Sequence, residues 1–118
     1  MQRKFEELGI SIDGVAYGLF SGEAEFDRGG RVVIITIEPP VIDDAPLVLD
    51  IGKLVPERIA LRRKYGIDFL EDGGSEVRGH TRRYDLFMAL SETIEKAFAD
   101  DIRDYLADVG ETSHFDAA

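Results

Sequence analysis

A chain of 118 residues is long enough to bury one hydrophobic core and too short for two, so it reads as a single domain over residues 1–118. Hydrophobic residues at 44% and charged residues at 32% exclude a disordered chain, and the lack of cysteine excludes disulfides and thiol chemistry. With 24 acids against 14 bases the formal charge is -10, a long-range field that opposes nucleic acid and anionic membranes.

The opening residues, Met1 to Leu8, place Glu6 and Glu7 where a secretion signal needs an apolar run. The longest uncharged β-branched run, Val32 to Ile37, is about a third of what a membrane-spanning helix requires. A cytoplasmic location is the corresponding expectation. Residues 2–8 are expected to form a short helix with Phe5 and Leu8 inward, stopped by Gly9.

From Ile10 to Ile37 the pattern turns to period two with β-branched and aromatic residues, which predicts strands. Asp27-Arg28-Gly29-Gly30 is a turn signature, so a hairpin is expected over about 15–37. Alternation then puts Phe20, Ala24 and Phe26 on one core face with Val33, Ile35 and Ile37, and turns Glu23, Glu25 and Asp27 to the other. The acidic strand is expected near an edge and the second strand at the centre. Pro39 and Pro40 end the hairpin, and 46–51 reads as a further strand. Pro56 suits the first turn of a helix over about 56–65, with Gly66 at its end. Residues 67–70 are expected as a short strand before a mobile loop at 71–75.

Leu86, Leu90, Ile94, Ala97, Phe98, Ile102, Tyr105, Leu106 and Val109 recur at steps of three and four. They predict one long helix over about 81–109, capped by Thr81 and stopped by Gly110, with a flexible tail over 111–118. The expected fold is therefore α+β: a small antiparallel sheet of three or four strands packed against that helix and the shorter one.

Charge is uneven along the chain. Residues 53–83 hold eight bases against five acids, while both flanks are acidic. One consequence is a candidate anion-binding cluster of Arg62, Arg63, Arg78, His80, Arg82 and Arg83, with Arg82 and Arg83 in the first turn of the long helix, where free amides favour an anion. The other is an acidic helix face of Glu92, Glu95, Asp100, Asp101, Asp104 and Asp108, a surface suited to a basic protein partner.

Catalytic material is scarce. His80 is the one histidine well inside the domain, where Asp85 or Asp72 would orient it as a base. The carboxylates at Glu23, Glu25 and Asp27, at Asp43 and Asp44, and at Asp68, Glu71 and Asp72 have no metal-site spacing. No cofactor and no metal are expected. Three functions stay open: an acidic, non-enzymatic protein-interaction domain; an anion-binding module or modest enzyme for a phosphorylated or carboxylate ligand; and a self-associating subunit, or homo-oligomer, using Val32 and Ile34.

Overall fold

The computed structural model describes residues 1–38 and 46–117, the side chains of 72 and 109–117 excepted. Four strands, β1 (Gln2–Ile12), β2 (Val15–Phe26), β3 (Val32–Ile37) and β4 (Leu47–Asp50), form an antiparallel sheet in chain order. Four helices follow: α1 (Ile51–Tyr65), the single turn α2 (Phe69–Asp72), α3 (Gly74–Ala97) and α4 (Ala99–Ala117). This is the expected α+β architecture, with the hairpin of β2 and β3 closed at the expected turn. There the Asp27 carboxylate accepts from the Gly29 and Arg31 amides at 2.9 and 3.0 Å. Pro39, Pro40, Asp43 and Asp44 lie outside the described residues.

Residues 2–8, expected as a helix, are the first half of β1. The reason is a bulge: Phe5 pairs with Gly22 and Leu8 with Phe20, so β1 carries one residue more than β2 between those pairs. Glu7 takes the left-handed conformation there, at φ 47°. The inward set switches from Phe5 to Leu8, Ile10 and Ile12, and the resulting three-residue step imitates a helical one. A type of turn favoured for tight hairpins, Asp13-Gly14 with φ of 52° and 78°, joins Ile12 to Val15.

The acidic strand β2 is interior rather than an edge, since β1 occupies the margin. A third irregularity, after those at Phe5–Leu8 and Ile10–Ser11, lies between Glu25 and Phe26 and pairs Phe26 with Val32. Val32 therefore takes the core place expected of Val33, alongside Phe26, Ala24, Ile35 and Ile37. Among the described residues the opposite sheet face has no second layer of protein on it. Ile34 is half-buried there between its partners Glu25 and Asp50, so the expected apolar pair Val32 and Ile34 does not exist as a surface.

Helix α1 begins five residues before Pro56, because the side chain of Asp50 caps it by accepting from the Gly52 amide at 2.8 Å. Residues 69–72, expected within a strand and mobile loop, instead make one helical turn that runs directly into α3. Helix α3 starts at Gly74, not at a cap on Thr81, even though 74–81 includes two glycines and a threonine. Val77 and His80 are buried against α1 and α2, and tertiary packing overrides local propensity. At Phe98 the backbone departs from helical angles for one residue (φ -107°, ψ 23°). The ladder continues across it, since Phe98 donates to the Ile94 carbonyl and Ile102 to that of Phe98, both at 2.9 Å. The expected single rod is thus two helices joined at a bend, and α4 runs past Gly110 to Ala117.

The core lies between the inner sheet face and α3: Leu90 and Ile94 are wholly enclosed with Ala24, Ile35 and Leu49. A smaller cluster of Leu61, Phe69 and Val77 joins α1, α2 and α3. Two glycines have opposite meanings in this arrangement. A Cβ on Gly22 would fall on the carbonyl oxygen of Thr36 in β3, whereas one on Gly79 of α3 meets nothing within 4 Å. Gly22→Ala is expected to cost about 3 kcal/mol or to prevent folding, as overpacking against backbone cannot relax. Gly79→Ala should stabilise the chain by about 0.5–1 kcal/mol through helix propensity. Urea titration of the two variants checks both signs.

Candidate functional site

Helix α1 carries Leu54, Glu57, Arg58 and Leu61 at helical spacing, which puts an acid and a base on the stripe that faces α3. From α3, His80 arrives wholly buried and Arg83 half-buried. Glu57 joins them: its Oε1 lies 2.6 Å from His80 Nδ1 and accepts from Arg83 Nη2 at 2.8 Å. An ionised carboxylate only accepts, so Nδ1 of the ring carries the proton in this pair. Above it the Arg58 guanidinium stacks on Tyr84 at 4.4 Å and on Phe69 at 5.2 Å. His80 Nε2, Arg58 Nη1 and Thr81 Oγ1 are buried without a hydrogen-bond partner among the described residues.

This junction overturns the expected partner of His80. Its orienting carboxylate is Glu57, 23 residues upstream, rather than Asp85, and the Asp72 side chain lies outside those described. A signal for it exists in the sequence: an acid three residues after Leu54 and four before Leu61 lies on the apolar stripe. With no exposed surface, the ring meets no substrate in this conformation.

The anion-binding set is divided. His80 and Arg83 turn to Glu57, and Arg62 lies over the Phe69 ring at 5.6 Å. Arg63, Arg78 and Arg82 are exposed and make no ion pair with a described side chain. Arg82 and Arg83 stand in the third turn of α3, not the first, so the amides of a helix start are not beside them. Arg82 instead borders a cleft of about 300 Å³ beneath Ile12, Tyr17 and Phe20 of the hairpin tip.

The acidic set is also divided. Glu95 turns inward and accepts from the Val32 amide at 3.2 Å, and Asp101 pairs with Arg3 of β1 at 3.2 Å. Glu92, Asp100, Asp104 and Asp108 remain exposed. Asp85, one further acid that the expected set omits, is exposed about two turns before Glu92. Spaced by seven, eight, four and four, these acids follow the outward side of the bent rod. Lys96 and Arg103 are the bases among them, held by Glu92 at 3.1 Å and Asp100 at 2.7 Å. No family model, curated protein or solved structure matches this chain.

Burial raises the Glu57 carboxyl, but hydrogen bonds from His80 and Arg83, with their charges, outweigh it and hold the group below its ordinary value of 4.5. A carboxyl depressed in the folded state stabilises the fold above its unfolded value, and that contribution disappears as pH falls through the folded one. Glu57→Gln should therefore cost about 1 kcal/mol at pH 7, discounted for the solvent that reaches this side chain. The gap in melting temperature between it and the parent chain should close as pH drops below about 4.5. Thermal unfolding from pH 7 to pH 3 measures it, and a gap that widens with acid contradicts the role given to Glu57.

Proposed function

We propose that this chain is a small acidic, non-enzymatic protein-interaction domain that offers the outward side of α3 and α4 to a basic protein partner. The observation that carries this is the excess of exposed acid along α3 and α4. Asp85, Asp104 and Asp108 make no ion pair with a described side chain, and Asp100 remains 87% exposed even with Arg103 beside it. Like charges at four-residue spacing cost a few tenths of a kcal/mol per pair, a cost that a cationic partner removes. Steering by such a surface raises association rates more than final affinity. The net charge of -10 acts in the same direction.

A second reading keeps the exposed Arg63, Arg78 and Arg82 as a site for a phosphorylated or carboxylate ligand. It is favoured by their lack of ion pairs with described side chains. One titration separates the two. A lysine-rich decapeptide should bind with an affinity that falls steeply between about 50 mM and about 500 mM salt, where screening shortens the reach of surface charge. Asp100→Asn, Asp104→Asn and Asp108→Asn combined should weaken it about fivefold or more, about 1 kcal/mol. Arg63→Gln, Arg78→Gln and Arg82→Gln combined should leave it unchanged. Binding indifferent to the aspartates, with phosphate raising the melting temperature of the parent but not of the arginine variant, would replace the first reading by the second.

A further inference from the structure

Helix α3 packs across the inner face of β1 and leaves the outer edge of that strand unpaired. Between them runs an open groove of about 570 Å³, with Gly9, Ser11 and Asp13 along one wall and Asp85, Ala89, Glu92 and Lys96 along the other; Lys96 is paired with Glu92, and acids exceed bases in the lining. Glycine has no side chain, so the wall at Gly9 is main chain. Antiparallel ladders alternate residues bonded to the neighbouring strand with residues turned away. The ladder is irregular between Ile10 and Ser11, but the extra residue there is Tyr17 of β2, so alternation along β1 itself is unbroken; counted back from the Ile12–Val15 pair that closes the hairpin turn, Gly9 and Ser11 are the ones whose N–H and C=O turn away from β2.

The two halves of this edge strand differ. From Gln2 to Glu7 it is guarded by Arg3, Lys4, Glu6 and Glu7 and by the bulge, the usual devices against strand addition. From Leu8 to Ile12 it carries neither charge nor proline. The facing side of α3, from Asp85 to Lys96, rises about 16 Å, the length of about five extended residues. Leu8 to Ile12 is a segment of that length.

We infer that this groove takes an extended basic segment of a protein partner, which adds to the sheet as a fifth strand beside Leu8–Ile12. The inference deepens the acidic-domain reading and rests on it. Side chains of an added strand alternate between the two faces of the sheet. One set meets Asp85 and Glu92 on the α3 side. The other meets Leu19, which lies 67% exposed over Gly9 on the outer face. A segment alternating lysine with an aliphatic residue matches both. A second copy of this chain does not, because pairing two β1 edges would bring two sets of Asp13, Asp85 and Glu92 together.

The full chain, labelled with nitrogen-15, is titrated at low salt with Lys-Val-Lys-Val-Lys-Val-Lys. Binding should move the Gly9 and Ser11 amide resonances and slow their exchange with solvent about tenfold or more. The same peptide methylated on alternate amide nitrogens keeps its charge and loses donors, and should bind about tenfold more weakly or worse. Asp85→Lys with Glu92→Lys, both at exposed positions, should weaken the parent peptide to a similar degree. Equal binding by the methylated peptide, or shifts confined to 100–108, overturns the groove and leaves the acidic-face reading standing. No salt-sensitive binding by this peptide or by the lysine-rich decapeptide overturns both. Sedimentation showing a dimer that Ser11→Pro abolishes would give the edge to a second copy and overturn the inference.

Discussion

The contact on which the rest of the molecule depends is that of Leu90 and Ile94 with Ala24, Ile35 and Leu49, five side chains almost wholly withdrawn from water. Full burial of each larger side chain contributes roughly 1.5–3 kcal/mol relative to exposure. Among the described residues no second layer covers the other face of the sheet, so α3, with Leu54 of α1 beside it, supplies the apolar partner. That requirement fixes the tilt of the rod, and the rod in turn constrains distant residues. Beyond the bend at Phe98, Ile102 reaches the turn between β2 and β3, where a Cβ on Gly30 would stand 2.6 Å from its Cγ2. Only glycine is free to occupy that turn position, with φ at +76° and a helix pressed against it.

Where the physics was local, the sequence was readable: period-two alternation from Phe20 to Phe26, the Asp27 turn, and the three-and-four spacing from Leu86 to Ile94 all correspond to what forms. The misreadings within the sheet share one cause, a residue inserted into or withdrawn from a regular period. The bulge at Glu6 and Glu7 makes Phe5 and Leu8 look helical, and the irregularity beyond Glu25 exchanges Val33 for Val32. Asp13-Gly14 was a legible hairpin signal, and it would have placed β1 at the margin. The start of α3 was not legible, because Gly74 to Thr81 is helical through contacts with Leu61 and Phe69, which lie on other elements. Among the site residues, the exposed acids were readable as a helical face. The diversion of Glu95 to Val32 and of Asp101 to Arg3 depends on strands far away in sequence.

The α1–α3 junction shows how a chain this acidic uses the arginines of its middle third. Arg83 and His80 share a single carboxylate, and Arg58 has lost water to two aromatic faces instead of an acid. Removing Glu57 leaves the enclosed His80 Nδ1 without its acceptor, whereas solvent still reaches Arg83, so the cost falls mainly on the ring. The basic middle is therefore divided in its work. Part of it ties α1 to α3, while Arg63, Arg78 and Arg82 stay in solvent.

The same acids answer two demands at the β1 margin. An uncharged edge from Leu8 to Ile12 is a template for any extended chain, including another copy. Guarding it with charges on the strand itself, as Gln2 to Glu7 does, would close it to every partner. Placing Asp13 at the adjoining turn and Asp85 and Glu92 across the groove keeps the main chain accessible and makes occupancy depend on the visitor's charge. Hydrogen bonding to Gly9 and Ser11 is indifferent to side-chain identity, so discrimination has to come from those carboxylates and from the alternate contact with Leu19. Repulsion between copies and attraction for a cationic strand then arise from one arrangement of charge.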